Sequence, residues 1–230
     1  MATRTTARSS TDRRRATQDT DSKAVVDKLL ADSGQTYADE AGIRLRDKPA
    51  SLYQLLVLAV LASAPIRSAT AVDAAHELTE SKMGTPRAMR QASRRDRIQA
   101  LGRAHYVRYD ESTATALGRG ADLLLDRYGG DLRRLLDAAD HQPERVAELL
   151  REFPRLGPVG ADVFCREAQQ VWPDLQPYFD DKTLAGAKRV GLPADADRLA
   201  ALVEPEDYAR LAAALVRADL EHRRSRRSKS

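Results

Sequence analysis

The acidic pair Asp180 and Asp181 is the strongest sign of chemistry in this chain. The pair ends a proline-punctuated loop over residues 172–181. A carboxylate that its neighbours hold in place can stabilise a developing positive charge or orient a water molecule. The same residues are also favoured N-caps for a helix that begins at Lys182, and the residues alone favour that structural alternative.

A turn rich in glycine and proline precedes the acidic loop and has the character of an anion site. Its residues are Leu156, Gly157, Pro158, Val159 and Gly160. We expect this turn to join an amphipathic helix to a second helix that begins at Ala161, in a helix–hairpin–helix over residues 150–171. The N-terminus of that second helix presents backbone N–H groups and a partial positive charge, which together favour a bound phosphate.

Three cations flank the turn and the acidic pair. They are Arg155, Lys182 and Arg189. Each is a candidate contact for a phosphate group, because a cation next to an anion site adds attraction. The alternative for each, taken singly, is an ordinary solvated charge.

Charge and composition indicate a soluble protein with an anionic partner. The 230 residues are 42% hydrophobic, with a formal charge of +4 and a pI of about 9.3. Arginines crowd both ends of the chain, so an anionic partner is plausible. The single cysteine, Cys165, excludes an internal disulfide and a cluster held by four thiolates. The four histidines lack the spacing of metal ligands, and we expect no metal and no cofactor.

Helical signals dominate the whole chain, and the fold is predicted to be all-α, a two-lobe helical bundle. Residues 1–20 are predicted to be a disordered basic tail, residues 21–222 a helical domain, and residues 223–230 a basic C-terminal tail. Ser51 is the expected N-cap of a helix that is apolar on nearly every face. Further helices are expected over residues 22–31, 68–77, 87–92, 93–104, 112–128, 131–139, 143–153, 182–190, 195–203 and 205–221.

Local signals mark several ends of these helices. Thr85 followed by Pro86 predicts an N-cap with proline at the first helical position. Gly129 and Gly130 predict the end of the long helix over residues 112–128. In the helix over residues 93–104, Ile98 and Leu101 are expected to face inward and several arginines outward.

The order of these segments resembles the helix–hairpin–helix DNA glycosylase superfamily, which includes endonuclease III. Four stretches carry the resemblance: LLVLAVLASAPIRSATAVDAAHEL, TPRAMRQAS, YDESTATALGRGADLLLDRYGGDL, and LGPVGADVF followed by PYFDDKTLAGAKRVGL. Together they cover residues 48–192. The resemblance implies a DNA-repair enzyme that flips a base out of the duplex and cleaves its N-glycosidic bond.

The resemblance also assigns roles to particular residues. The family's catalytic aspartate falls on Asp180, with Asp181 as the alternate, and Tyr178 is a candidate for the base pocket. Asp162 stands where lyase members of the family carry a lysine, and the four cluster cysteines are missing. Pro158 replaces a hairpin glycine and removes one backbone donor.

Three functions follow as alternatives. The first is a monofunctional base-excision glycosylase, acting as a monomer on double-stranded DNA with a damaged or mismatched base, in the cytoplasm at the nucleoid. The second is a non-catalytic helix–hairpin–helix protein that binds distorted DNA. The third is a helical bundle without a nucleic-acid role. No segment is apolar and long enough for a membrane span, so no membrane partner is expected.

Overall fold

A computed structural model of the chain describes residues 21–227. Every regular segment in that range is helical, which confirms the all-α prediction. The predicted disordered tail over residues 1–20 lies outside the described range, as do residues 228–230.

The helices follow one another along the described chain with short connections. They are α1 (21–33), α2 (Tyr37–Glu40), α3 (Pro49–Ala62), α4 (Ser68–Leu78), α5 (Pro86–Gln91), α6 (Arg94–Arg103), α7 (Asp110–Tyr128), α8 (Arg133–Ala138), α9 (Pro143–Leu150), α10 (Pro158–Ala168), α11 (Asp181–Arg189), α12 (Ala196–Ala200) and α13 (Tyr208–Arg227). A π-helical turn (Thr79–Met83) follows α4, and 3-10 turns (Pro173–Leu175 and Pro205–Asp207) precede α11 and α13.

The chain divides into two compact units. The first unit takes its residues from both chain ends, Met1–Gln35 and Phe179–Ser230, and its described part is 21–35 with 179–227. The second unit is one continuous stretch, Thr36–Tyr178.

Helix α3 is the centre of the second unit. Its middle runs through consecutive buried residues from Leu55 to Leu61, and it packs against α4, α7 and α10. A helix that is apolar on every face is stable in water only when other helices surround it. The sequence-based prediction of a central helix is therefore confirmed.

The N-cap prediction for that helix is wrong. Helix α3 begins at Pro49, with Lys48 as its N-cap. Ser51 lies inside the first turn, where its hydroxyl accepts the Arg46 N–H (2.9 Å) and donates to the Arg44 carbonyl (2.9 Å). Ser51 therefore links the preceding loop to the helix by hydrogen bonds. Pro49 occupies the first helical position, where proline is favoured.

Several arginines of α6 are exposed, as expected, whereas Arg97 is buried. Its side chain donates to the carbonyls of Met89 (2.8 Å) and Ala92 (3.1 Å) at the C-terminal end of α5. Gly118 of α7 leaves room for it, because a Cβ there would lie 2.8 Å from a guanidinium nitrogen of Arg97. Burial lowers the pKa of the Arg97 side chain.

Two of the predicted helix ends are confirmed by their capping geometry. The Thr85 side chain accepts the Ala88 N–H (3.2 Å) at the start of α5. Gly129 ends α7 in the left-handed region, at φ 64°, which glycine adopts without steric cost.

The first unit is built around the packing of α11 on α13. Its buried apolar side chains include Val26, Phe179, Ala187, Leu192, Leu199, Leu211 and Leu215. Gly186 allows the close approach, since a Cβ at that position would lie 1.9 Å from the Leu215 carbonyl oxygen. The predicted C-terminal tail is helical as far as residue 227, as the last turn of α13.

Arginines of α13 cap the C-terminal end of α1. Arg217 donates to the carbonyls of Ser33 (2.8 Å) and Gln35 (2.5 Å), and Arg210 donates to the carbonyl of Gly34 (3.3 Å). Carbonyls at a helix end have no partner within the helix. These bonds therefore join the two parts of the chain from which the first unit is made.

Candidate nucleic-acid interface and carboxylate site

The helix–hairpin–helix consists of α9, a connection over residues 151–157, and α10. Helix α10 begins at Pro158 rather than at Ala161, because Gly157 is its N-cap in an extended conformation. Proline has no backbone N–H, but nothing is lost at the first helical position, because an N–H there would have no partner within the helix. Within the helix itself, the first backbone N–H is therefore that of Val159, a residue that is 39% exposed.

Glycine is required at position 160 because α10 packs closely against α3, and not because of the direction of its backbone N–H. A Cβ at this position would lie 2.1 Å from the Ser63 hydroxyl and 3.1 Å from the Ala59 carbonyl oxygen. Its own N–H bonds to the Gly157 carbonyl (3.0 Å). The glycine thus seats α10 directly on α3 and fixes the direction of the helix N-terminus.

The turn before α10 is anchored by Leu156 and exposes Arg155. Leu156 is buried, whereas Arg155 is exposed and adopts a φ of 65°, in the left-handed region. The Arg155 guanidinium lies over the Tyr109 ring at 5.7 Å and donates to the Ser112 hydroxyl (3.0 Å). These contacts hold a cation next to the N-terminus of α10.

An open groove of about 420 Å³ adjoins this turn, and we call it the arginine groove. It is lined by Arg94, Glu111, Ser112, Thr115, Ala116, Arg119, Pro154 and Arg155. Arg94 donates to the Thr115 hydroxyl (3.2 Å) and to the Glu111 carboxylate (3.0 Å). Of the three arginines that line this groove, the sequence alone indicated only Arg155.

The sequence did carry a signal for part of this groove. Ser112, Thr115 and Arg119 follow one another at intervals of three and four, a spacing that places side chains on one helix face. Arg94 lies on a different helix, and only the packing of α6 on α7 brings it to the same face.

Asp162 and Tyr178 form one hydrogen-bonded pair. The Tyr178 hydroxyl donates to the Asp162 carboxylate (2.9 Å). Gln169 accepts the Tyr178 N–H (2.9 Å) and donates to its carbonyl (3.1 Å), so both the backbone and the ring are held. The half-buried Tyr178 remains a candidate for a base pocket. Trp172 is a buried core residue, and its indole N–H donates to the Asp47 carboxylate (3.0 Å).

Asp180 is the N-cap of α11, in the first unit. One of its carboxylate oxygens accepts both the Thr183 N–H (3.1 Å) and the Thr183 hydroxyl (2.6 Å). Asp180 is half-buried, whereas Asp181 is exposed in the first helical turn. The prediction that Asp180 caps a helix is therefore confirmed. Capping holds its carboxylate in a defined position at the N-terminus of α11, which is the positive end of the helix dipole.

The other predicted cations of the first unit lie on α11. Lys182 is half-buried in its first turn. Arg189, near its C-terminal end, lies 3.7 Å from the carboxylate of the buried Asp219, which also pairs with Arg223 (2.6 Å). Arg189, which is itself exposed, therefore also helps to neutralise a buried carboxylate.

The predicted site residues fall into two groups by unit. Arg155 to Gly160 and Tyr178 belong to the second unit, and Asp180, Asp181, Lys182 and Arg189 belong to the first. Among the helices of residues 21–227, none has the length and apolar character needed to cross a membrane.

Comparison with known proteins gives one distant likeness. No protein-family model matches the chain, and no curated protein matches it. A solved structure of endonuclease III, trapped as a covalent intermediate with DNA in an estranged-adenine complex, is 17% identical in sequence, with a TM-score of 0.49. The match covers 86% of this chain and 84% of that one, and the DNA in that complex is bound by that enzyme.

Proposed function

We propose that this chain is a monofunctional DNA N-glycosylase that removes a damaged or mismatched base from double-stranded DNA. The observation that carries the proposal is the Asp180 carboxylate, which Thr183 holds at the N-terminus of α11. It lies at the position that matches the family's catalytic aspartate in the motif order described above. A group that is fixed before the substrate arrives needs no reorganisation when charge develops.

The chemistry requires one carboxylate and one water molecule. The base leaves with the electron pair of the bond between its nitrogen and C1′ of the sugar, and the sugar gains oxocarbenium character. The Asp180 carboxylate stabilises this positive charge, water then adds to C1′, and the proton that the water loses neutralises the departed base. The products are the free base and an abasic site. The base reaches the site only after it has been flipped out of the duplex.

A lyase step is not supported by the residues present. At the position of the family's lysine stands Asp162, which accepts the Tyr178 hydroxyl. A Schiff base with the sugar needs an amine, and a carboxylate cannot form one. The proposed product is thus an abasic site in an intact strand.

DNA would be held mainly through its phosphates. The Val159 amide at the start of α10 and the exposed Arg155 beside it are suited to one phosphate group. Lys182 and Arg189 are proposed as further contacts on α11. Such contacts position the duplex and carry no information about the base that is removed.

Single-turnover release of a base tests the proposal. The substrates are duplexes with uracil, thymine opposite guanine, an oxidised pyrimidine, adenine opposite 8-oxoguanine, or an alkylated purine. Asp180→Asn keeps the N-cap, because asparagine caps as well as aspartate, and removes the negative charge. The neighbouring Asp181→Asn is the matched control. We expect a loss of at least about a hundredfold in Asp180→Asn and a rate close to wild type in Asp181→Asn.

Treatment with alkali separates the two kinds of glycosylase. Strand breaks that occur only after alkali are expected for simple hydrolysis. Breaks without alkali, together with a covalent adduct after borohydride reduction, would show an amine nucleophile, and loss of the adduct in Lys182→Gln would identify it. Release that survives in Asp180→Asn would remove this residue from the mechanism.

A second candidate is a non-catalytic protein that binds distorted DNA through the hairpin. The role of Asp180 as an N-cap favours it, since capping alone is a structural reason for an aspartate at this position. This candidate predicts binding to mismatched or abasic duplexes without release of any base from the panel. Release by wild type would exclude it.

A further inference from the structure

We infer that the arginine groove is a second binding site for a DNA backbone phosphate, in addition to the N-terminus of α10. The inference rests on the proposed function, because it assumes that the ligand is DNA. It assigns a role to Arg94 and Arg119, which lie outside the helix–hairpin–helix motif.

The groove is held together by hydroxyl groups on one face of α7. Thr115 accepts a hydrogen bond from Arg94, and Ser112 accepts one from Arg155. One arginine from α6 and one from the turn before α10 are therefore fixed on the face that also carries Arg119. Their guanidinium groups converge on one groove without being joined to each other.

The charge of the groove favours an anion. Three guanidinium groups and one carboxylate line it. Glu111 pairs with Arg94 (3.0 Å), whereas Arg119 is exposed and forms no ion pair within the described residues. Guanidinium groups present several N–H donors in a plane that matches two oxygens of a phosphate. Arg119 is thus the donor best placed to bind a ligand without first losing a partner.

The open form of the groove favours the backbone of a strand over a small free anion. Sites that retain small molecules enclose most of the ligand surface, whereas this groove is shallow and continues to Arg155 beside the N-terminus of α10. A strand that contacts Arg155 can continue along the face of α7 to Arg119. The groove then adds affinity for any duplex and does not select the damaged base.

The salt dependence of binding tests this inference. Each phosphate contact contributes about one to the slope of log K against log salt concentration. We expect Arg119→Gln to lower this slope by about one and to weaken binding several-fold, equally for undamaged and damaged duplexes. We expect Glu111→Gln to strengthen binding, because it removes a repulsive charge and frees Arg94.

The matched control is Arg127→Gln. Arg127 lies on the same helix but pairs with Glu152, so the change in net charge is the same while the groove stays intact. Equal weakening in Arg119→Gln and Arg127→Gln would show an effect of net charge alone and would overturn the inference.

Two further outcomes separate this inference from the proposed function. Loss of affinity in Arg155→Gln together with wild-type affinity and slope in Arg119→Gln would overturn the second site and leave the glycosylase proposal standing. No salt-dependent binding of wild type to any duplex would overturn both. All variants replace exposed side chains, and thermal melts followed by circular dichroism would establish that each is folded.

Discussion

Thr183 positions the carboxylate on which the proposed chemistry depends. Its hydroxyl and its N–H both donate to Asp180, and Thr183 is itself buried. Removing the hydroxyl while keeping the shape leaves the backbone bond in place and frees the carboxylate to rotate. Thr183 is therefore a positioning residue, because it acts only through Asp180.

We expect Thr183→Val to slow single-turnover base release while the affinity for DNA stays near that of wild type. The stability cost is about 1.5–3 kcal/mol, the usual range for a hydrogen bond to a charged group. Thr183→Ser restores the hydroxyl and should recover the rate. A rate unchanged in the valine variant would mean that capping by the backbone alone fixes Asp180.

At the scale of helices, two glycines differ in how much space surrounds them. Gly186 lets α11 lie against the backbone of α13, where a Cβ would meet the Leu215 carbonyl at 1.9 Å. Gly102 is inside α6, and a Cβ there would meet nothing within 4 Å. Backbone cannot yield as a side chain does, so the first position has no room for a methyl group.

We expect Gly186→Ala to lower the free energy of unfolding by about 3 kcal/mol or more, since overpacking against backbone forces two helices apart. Gly102→Ala should raise the same quantity by about 0.5–1 kcal/mol, because alanine is the better helix former. Urea unfolding of both variants measures the difference. A mild effect in Gly186→Ala would show that α11 and α13 separate easily.

The connection between α8 and α9 carries a pH-sensitive contact. His141 lies 3.0 Å from Asp174, in the 3-10 turn before α11, and 3.4 Å from Asp137 on α8. The hydrogen bond that His141 donates to Asp174 and the two negative charges raise the pKa of His141. A raised pKa in the folded state means that protonation stabilises the fold.

This contribution is fully present below the unfolded pKa of about 6.5 and is lost as the pH rises through the higher pKa of the folded state. We expect wild type to lose stability relative to His141→Gln over that range of rising pH. Urea unfolding across the range at low salt checks this, and added salt should reduce the effect because the contact is exposed. Parallel curves for the two proteins would contradict it.

How far the sequence predicts the molecule depends on how local each signal is. The cap at Thr85 and the stop at Gly129 depend on neighbours a few residues away, and both are confirmed. The burial of Arg97 depends on Gly118 of another helix, which no window of sequence shows. The candidate site shows the same division between local and distant signals. Asp180 could be predicted because it lies in a recognisable order of sequence segments, whereas Arg94 lines the arginine groove only because of helix packing.

At the scale of the whole molecule, the second unit is a single continuous stretch with its own buried centre. Glu167 of α10 accepts the N–H groups of Tyr37 (3.2 Å) and Ala38 (2.9 Å), and so ties the start of this stretch to a helix near its end. A contiguous unit with its own core can fold alone. The first unit lacks this property, since its core needs both chain ends.

We therefore expect the fragment over residues 36–178 to fold as a helical protein with a cooperative thermal transition. The fragment over residues 179–227 should show little stable helix, because it lacks Val26 and the rest of α1. Circular dichroism of the two fragments measures this. A fragment 36–178 that stays unfolded would show that the second unit depends on the first.

The composition of the first unit from both ends has a consequence for synthesis on the ribosome. Helix α1 emerges early and finds its partners only after α13 has been made, while the whole second unit is translated in between. At 5–20 residues per second, roughly 2–7 seconds separate the appearance of Asp180 from that of Leu215, against whose backbone α11 packs. During that interval the proposed catalytic carboxylate is on a nascent helix without its neighbour. An incomplete chain can thus hold a finished second unit while the carboxylate needed for the proposed base release is not yet held in place.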